Sequence, residues 1–184
     1  MRQDFEKSGR PAEFKLEPFT PSKPLQNFHC PITEYNDYLY NDALRSMNDH
    51  IALTWLLTER STDKIAAYMS LIMDAIKLSF TEKELHHLNY PFRTIPALKI
   101  AKLAVDQNFS EKYRGIGTFM VESAVRIAWA CNKTYCACRF ITVDADLEHD
   151  QGVLSFYEKN GFIQNIELFN KNRKTISMRK DIYK

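Results

Sequence analysis

Apolar and polar residues are spaced along this chain in patterns that predict both helices and strands. Tyr35, Tyr38, Leu39 and Ala43 recur at helical spacing and predict a helix that ends near Asn48. Runs rich in β-branched, aromatic and other apolar residues predict strands at 51–59, 64–74, 97–105 and 139–143, and a final hairpin over 163–178. The run at 97–105 is nearly continuous, which is typical of a strand buried on both faces.

Helix and loop signals fill the intervals between these strands. Thr81 and Glu84 have the spacing of a capping box and predict the start of a short helix over 81–89. A loop and two further helices are predicted at residues 106–113, 114–130 and 150–160. This order of elements is that of an α+β domain with a mixed sheet.

The first 24 residues differ from the rest of the sequence because they hold four of its seven prolines. Proline fixes φ and lacks an amide donor, so this segment has room for at most one edge strand, at Phe14–Phe19. We therefore expect a proline-rich N-terminal extension over residues 1–24 and a single domain over residues 25–184.

Size and charge narrow the class of protein. A chain of 184 residues suits one globular domain. Its 25 basic and 23 acidic residues give a net charge of +2, which neither requires nor excludes an anionic partner. No apolar run approaches the roughly 20 residues that span a bilayer, and the charged N-terminus lacks a secretory signal pattern. We expect a cytoplasmic protein with no membrane partner.

The four cysteines are Cys30, Cys131, Cys136 and Cys138. Without a secretory signal, the even count does not indicate a disulfide framework. Zinc sites usually supply two pairs with C-x2-4-C spacing, whereas the sequence has one C-x-C and no second pair. We expect buried structural thiols and no metal ion.

Glycine is scarce, yet four of the five glycines fall within residues 115–161. Two of them belong to a segment between the strand at 97–105 and the long predicted helix, Lys112-Tyr113-Arg114-Gly115-Ile116-Gly117-Thr118. Amides at a helix start have no intrahelical partner and attract anions, and glycine lets a phosphate approach them closely. The segment therefore suits a pyrophosphate, although Gly-x-Gly is also common in a plain strand-to-helix turn.

A second motif follows, Leu154-Ser155-Phe156-Tyr157-Glu158-Lys159-Asn160-Gly161-Phe162. A glycine loop after a buried strand, followed by FY-x-x-x-GF, resembles the GNAT superfamily of acetyl-coenzyme A-dependent N-acyltransferases over residues 98–162. The resemblance implies a GNAT fold, an α+β fold whose mixed, mostly antiparallel central sheet is flanked by helices. It also implies an N-acetyltransferase that passes an acetyl group directly from acetyl-CoA, as co-substrate, to a primary amine.

The same resemblance implies roles for individual residues. The glycine loop would hold the pyrophosphate through Lys112, Tyr113, Arg114, Gly115, Ile116, Gly117 and Thr118. The backbone of the preceding strand, at Leu103, Ala104 and Val105, would bond the pantetheine arm. Tyr157 would be the general acid that protonates the departing thiolate, because a phenol with an ordinary pKa of about 10 is protonated near neutrality. The alternative for Tyr157 is a plain core aromatic.

Several further segments resemble a narrower group, the GNAT toxins of bacterial toxin–antitoxin pairs. These segments are Leu25–Cys30, Ala66–Leu71, Ile95-Pro96, Lys102–Asp106 and Val143-Asp144-Ala145. The similarity implies a toxin that acetylates the amino group of aminoacyl-tRNA, with an antitoxin protein as partner. A housekeeping acetyltransferase and a non-catalytic acyl-CoA-binding module are the alternatives, and a homodimer is one option for assembly.

Recognition of RNA would need a basic face, and Lys171–Lys184 is the densest basic segment. A solvated tail is the alternative interpretation of that segment. Asp106 and Asp144, at predicted strand ends, are candidate general bases, although aspartates at such ends are ordinarily solvated at the surface. His86-His87 is expected at the surface without a catalytic role.

Overall fold

The structure is a computed structural model that describes residues 2–5, 10–23, 25, 28–150, 152–165 and 174–184. Its strands are β1 (Gln3–Asp4), β2 (Phe14–Pro18), β3 (Leu53–Glu59), β4 (Ile65–Lys77), β5 (Thr94–Val105), β6 (Tyr113–Arg114), β7 (Phe140–Asp146), β8 (Ile163–Gln164) and β9 (Thr175–Asp181). Its helices are α1 (Thr33–Asp37), α2 (Ala43–Asn48), α3 (Phe80–Leu85), α4 (Gln107–Lys112), α5 (Ile116–Thr134) and α6 (Val153–Lys159). A 3-10 turn, Arg10–Glu13, precedes β2, and a π-helical segment, Tyr38–Asp42, joins α1 to α2.

Seven strands form one sheet in the order β2-β3-β4-β5-β7-β9-β8, and β1 pairs with β6 in a separate parallel ribbon. The pairs β2–β3, β3–β4, β7–β9 and β8–β9 are antiparallel. The predicted α+β fold, with a mostly antiparallel sheet and flanking helices, is confirmed. The two strands of the predicted final hairpin, β8 and β9, pair antiparallel. Residues 166–173, which the prediction placed between these strands, lie outside the described residues.

The chain divides into two compact units, and each is described by itself. The first unit comprises Met1–Ile72 and Ile100–Ser123, and the second comprises Met73–Lys99 and Ala124–Lys184. The proposed division at residue 25 into an extension and a domain stays a prediction.

The helix predicted from apolar spacing around residues 35–48 builds part of the first unit's core. Leu39 and Ala43 are buried against Leu56 of β3 and Tyr68 of β4. The Tyr68 hydroxyl donates a hydrogen bond to the Tyr35 carbonyl at 2.7 Å. Burial of a side chain such as leucine stabilises the fold by about 1.5–3 kcal/mol, so the apolar stripe holds the helix on the sheet. The π-helical segment was not predicted.

Helix α3 of the second unit begins differently from the prediction. Its N-cap is Ser79, whose hydroxyl accepts from the Glu82 amide at 3.2 Å, while the Glu82 carboxylate accepts from the Ser79 amide at 2.9 Å. The predicted box of Thr81 and Glu84 is therefore wrong by two residues. Ser79–Glu82 and Thr81–Glu84 both have the S/T-x-x-E spacing of a capping box. The box that forms is the first one, whose Glu82 side chain is buried.

Two other expectations need correction. The sequence predicted at most one strand in the first 24 residues, but β1 is present there as well as β2. It also predicted four buried thiols. Cys30 and Cys138 are buried as free thiols, whereas Cys131 is half-buried and Cys136 is exposed, because Cys136 lies beyond the end of α5 and before β7, where its side chain is not covered.

Candidate functional site

The segment predicted as a loop after β5 begins with a buried aspartate that caps a helix. The Asp106 Oδ1 accepts from the amides of Asn108 at 3.0 Å and Phe109 at 3.3 Å, and its Oδ2 accepts from the His29 amide at 2.9 Å. An aspartate that takes the amides of the second and third helical residues is a strong N-cap, which explains why residues 107–112 fold into α4.

These contacts correct the expected surface position of Asp106, one of the two candidate bases. The Asp106 side chain is only 1% exposed and both of its oxygens accept backbone hydrogen bonds, so it is a structural cap. Asp144 is exposed, and its Oδ2 lies 2.5 Å from the Lys99 Nζ. Asp144 is therefore half of an exposed ion pair.

The glycine junction, defined here as residues 112–118, follows α4. Lys112 ends α4, and Tyr113–Arg114 forms β6, which pairs in parallel with β1. Gly115 has φ +96°, a conformation that side chains with a Cβ rarely adopt, and the Phe119 amide donates to its carbonyl at 2.9 Å as α5 begins. A Cβ at Gly115 would come no closer than 4.0 Å to its neighbour, Phe5, so the backbone turn requires the glycine.

An aromatic cluster supports the glycine junction from inside the first unit. Tyr113 is 1% exposed, and its ring centroid lies 6.0 Å from that of Phe5, 6.1 Å from Phe14 and 6.5 Å from Phe109. The Phe5 amide also donates to the Arg114 carbonyl at 2.9 Å. The sequence prediction missed this support from Phe5 and Phe14, although two phenylalanines in a proline-rich segment were the available signal.

The predicted pyrophosphate-binding residues fall into two groups. The side chains of Tyr113 and Ile116 are buried, so these residues can offer a ligand only their backbone. Lys112, Arg114 and Gly115 are exposed. The Lys112 Nζ lies 5.1 Å from the centroid of the Tyr113 ring, and the Arg114 Nε lies 3.8 Å from an Asp4 carboxylate oxygen.

The remaining predicted coenzyme contacts lie on either side of these residues in sequence. Gly117 and Thr118 are half-buried in the first turn of α5, a helix of 19 residues. Its first amides have no intrahelical acceptor and lie at the positive end of the helix dipole. Ala104 of β5 is buried between Leu103 and Val105, which are both half-buried. All ten predicted coenzyme contacts thus belong to the first unit.

Tyr157 lies in the second unit, on α6. Its side chain is 7% exposed, and its ring meets those of Phe156 and Phe162 edge to face, with centroids 5.0 and 5.2 Å away. Gly161, at φ +82°, ends α6 in the left-handed conformation that the sequence predicted for this position. The surroundings of Tyr157 fit both the core aromatic and a phenol held in one orientation.

Two of the basic residues in the described part of the C-terminal segment, Arg179 and Lys180, make contacts within the protein. Lys171 and Arg173 lie outside the described residues. Arg179 is 1% exposed and belongs to what we call the charge cluster, which consists of Glu82, His86, Arg139, Arg179 and Asp181. The Lys180 Nζ donates to the Asn160 carbonyl at 2.7 Å. His86 is 4% exposed, so its expected surface position is wrong, while His87 is exposed.

The described residues hold neither a cluster suited to a metal ion nor a helix suited to crossing a bilayer. Within them, no three His, Cys, Asp or Glu side chains are grouped so that they could hold a metal ion. Across the same part of the chain, none of the helices has both the length and the apolar character needed to cross a bilayer.

No family model and no curated protein matches the sequence. Solved structures do match. A crystal structure of a KacT mutant has a TM-score of 0.72 at 20% identity, covering 91% of this chain and 95% of that one. The structure of AtaT complexed with acetyl-methionyl-tRNA has a TM-score of 0.76 at 19% identity, covering 92% and 95%.

A third match, AtaTR bound with AcCoA, has a TM-score of 0.70 at 20% identity and covers 91% of this chain and 94% of that one. These neighbours are GNAT toxins of toxin–antitoxin systems, so the predicted resemblance in fold is confirmed. The likeness extends over nearly the whole chain.

Proposed function

We propose that this protein is an N-acetyltransferase that transfers an acetyl group from acetyl-CoA directly to a primary amine. The observation that carries the proposal is the glycine junction. There the positive φ of Gly115 brings a short strand into the start of a 19-residue helix, with the exposed cations Lys112 and Arg114 beside it. This is the arrangement that binds a pyrophosphate at a helix N-terminus. The fold shared with AtaTR, which was solved with AcCoA, supports it.

The residues of the first unit would hold the coenzyme in two ways. The amides of residues 115–118 donate to the pyrophosphate, and Lys112 and Arg114 neutralise its charge. The backbone of Leu103, Ala104 and Val105 bonds the pantetheine arm. Acetyl-CoA itself supplies the activated thioester. Backbone amides stabilise the oxyanion that forms when the amine attacks the thioester carbonyl.

Tyr157 is proposed as the general acid. An ordinary phenol carries its proton at neutral pH and has a basicity close to that of a thiolate, so it can protonate the departing sulfur. The edge-to-face packing of Phe156 and Phe162 holds the ring in one orientation, which a proton donor requires.

The coenzyme assignment is tested by Gly117→Leu. A leucine in the first turn of α5 would occupy the space in front of the amides, so we expect calorimetry to detect no acetyl-CoA binding. Ala130→Leu, an exposed position of the same helix, is the matched control and should bind acetyl-CoA as the wild type does. If Gly117→Leu folds and binds acetyl-CoA with unchanged affinity, the junction is not the coenzyme site.

The acid assignment is tested by Tyr157→Phe. Loss of a general acid typically lowers turnover by about 10²–10⁴-fold, while acetyl-CoA affinity should not change. Tyr183→Phe, which removes a hydroxyl from an exposed tyrosine of the same unit, should keep full turnover. Unchanged turnover in Tyr157→Phe would leave this residue as a core aromatic.

A narrower candidate function is acetylation of the amino group of aminoacyl-tRNA by a toxin that an antitoxin controls. The observation in its favour is the TM-score of 0.76 with AtaT in complex with acetyl-methionyl-tRNA. Antitoxin binding is part of this candidate because another neighbour is AtaT bound to the antitoxin AtaR.

Expression of the wild type and Tyr157→Phe side by side distinguishes the candidates. A toxin should arrest growth and add acetyl groups to charged tRNA, and Tyr157→Phe should do neither. Normal growth with acetylation of a small amine or a protein N-terminus would identify a housekeeping enzyme. Tight acetyl-CoA binding without acetylation of any amine would identify a non-catalytic module.

A further inference from the structure

Three of the four cysteines lie close together where α5 ends and β7 begins. Cys131 is half-buried in the last turn of α5, Cys136 is exposed in the connection that follows, and Cys138 is buried. These thiols differ in access to solvent although they lie within eight residues of sequence. Neither the fold nor the proposed acetyl transfer uses the exposed thiol.

A backbone hydrogen bond connects Cys131 and Cys136. The Cys131 carbonyl accepts from the Tyr135 amide at 2.8 Å and also from the Cys136 amide at 3.1 Å. The chain therefore folds back over the last turn of the helix and brings the backbones of the two cysteines together. Asn132 fixes the connection, because its Nδ2 donates to the Cys138 carbonyl at 2.7 Å and its Oδ1 accepts from the Cys138 amide.

The environments of the thiols separate a reactive cysteine from an inert one. Burial raises the pKa of the Cys138 thiol to about 11, which leaves roughly a hundredfold less thiolate than an ordinary cysteine has. Its Sγ also donates to the Phe140 carbonyl at 3.3 Å. Burial raises the pKa of the Cys131 thiol, and a negative charge on Cys136 raises it further.

Small solutes can reach the exposed thiol. An open cavity of about 630 Å³ in the second unit is lined by Cys136 and by Lys133, Tyr135 and Arg139, among others. Tyr135 is 85% exposed, so the connection that carries Cys136 stands in solvent. Thiol reactivity follows thiolate character and access. Burial limits both for Cys138, whereas Cys136 is exposed to solvent.

We propose that Cys136 and Cys131 form an oxidative modification site, in which a peroxide converts the two thiols into a reversible disulfide. The Cys136 thiolate attacks one peroxide oxygen. The S–O bond forms, the O–O bond breaks, and the leaving hydroxide takes a proton to become water. The Cys131 thiolate then attacks the Cys136 sulfur, so that the S–S bond forms and the S–O bond breaks, releasing a second water. Two electrons pass from the sulfurs to the peroxide.

The sequence allows the pairing to be read directly by mass spectrometry. Trypsin cleaves after Lys133 and thus places Cys131 in the peptide 127–133, while Cys136 and Cys138 share the peptide 134–139. The folded protein is treated with one equivalent of hydrogen peroxide, denatured in acid, alkylated without reduction and digested. We expect the two peptides to be linked by a disulfide and to separate after dithiothreitol is added.

Three variants assign the sulfurs. Cys138→Ser should keep the link, and Cys136→Ser and Cys131→Ser should both lose it. In Cys131→Ser, Cys136 should instead carry one added oxygen or a dimedone adduct, which shows that it reacts first. The proposal is overturned if the wild-type peptides are not linked, if the link survives in Cys136→Ser, or if it joins two protein molecules.

Discussion

The glycine junction of the first unit and the charge cluster of the second place the same residue types in opposite surroundings. In the junction, Lys112 and Arg114 are exposed beside helix amides. In the charge cluster, Arg179 is 1% exposed and its Nη1 lies 2.7 Å from a Glu82 carboxylate oxygen. Cations in the junction are available to a ligand, whereas those of the cluster neutralise buried carboxylates. Net charge by sequence therefore says little about charge at the surface.

The charge cluster is held by several contacts at once. The His86 Nδ1 and the Arg139 Nη2 each lie 2.8 Å from the same oxygen of Asp181. The Arg179 Nη1 donates to the Asn165 Oδ1 at 2.6 Å, and its Nε lies 3.4 Å from the His86 Nε2. Removing charges from water is costly, so such a cluster is stable only while its partners are complete.

The largest effect is expected from Arg179→Met, which breaks the cluster on one side. Glu82 would be left buried without its cation, and a buried ion pair that loses one partner costs about 3–5 kcal/mol. The free energy of unfolding from urea titration measures the loss.

Arg114→Met is the matched control in the glycine junction. Its side chain is 68% exposed and its contact with Asp4 is long, so its unfolding free energy should change by no more than about 0.5 kcal/mol. Its effect should instead be weaker acetyl-CoA binding. Equal destabilisation by the two variants would remove the contrast between the regions.

The second prediction concerns Asp106, the buried carboxylate that precedes the junction. In Asp106→Asn one side-chain oxygen is lost, and an amide group would face the His29 amide or the amides of α4. An unsatisfied buried polar group costs about 1–3 kcal/mol of unfolding free energy.

Asp144→Asn is the comparison for this change. It alters an exposed ion pair and should shift stability by about 0.5 kcal/mol or less. Acetyl transfer per folded molecule should be retained in both variants. A large drop in turnover for either one, without unfolding, would identify that aspartate as the general base.

Much of the fold could be predicted because its signals are local. The stripe of Leu39 and Ala43 marked a helix, and β-branched runs marked the strands. The support of Tyr113 by Phe5 could not be predicted, because β1 is two residues long and pairs with a segment more than a hundred residues away. The burial of His86 and Arg179 could not be predicted either, since it depends on α3 and β9 packing together in space.

The candidate site was predictable to a different extent. The positive φ of Gly115 agrees with the glycine motif. A turn with positive φ favours glycine, because residues that carry a Cβ rarely adopt that conformation. The burial of Asp106 could not be predicted, because its position at a strand end does not reveal that the His29 amide and the first turn of α4 surround it.

The third prediction compares Gly115→Ala with Gly161→Ala, one glycine from each unit. Both have positive φ, +96° and +82°, so a Cβ at either position should cost about 1–3 kcal/mol. Only Gly115→Ala should lower acetyl-CoA affinity in calorimetry, because only Gly115 belongs to the junction. If both variants lower the affinity equally, the effect arises from general destabilisation.

The smallest effect is a change in the pH dependence of stability, which originates in the charge cluster. Burial lowers the pKa of His86 below its ordinary value of 6.5, against the opposing effect of Asp181. The unfolded chain therefore binds a proton on this residue that the folded chain does not, and stability falls as the pH drops below about 6.5. Urea titrations between pH 7.5 and about 5 should show this decline.

His86→Asn keeps a donor for Asp181 but cannot titrate, so it should flatten the decline below pH 6.5. His87→Asn, at the exposed neighbouring position, should leave the wild-type slope unchanged. Burial raises the pKa of Asp181, but the Tyr183 amide, Arg139 and His86 together outweigh burial, so the pKa is lowered. The stability that Asp181 contributes to the fold is therefore lost only as the pH falls toward 3.8. The two windows are therefore separate, and a slope that persists in His86→Asn between pH 6.5 and 5 would assign the effect to a group other than His86.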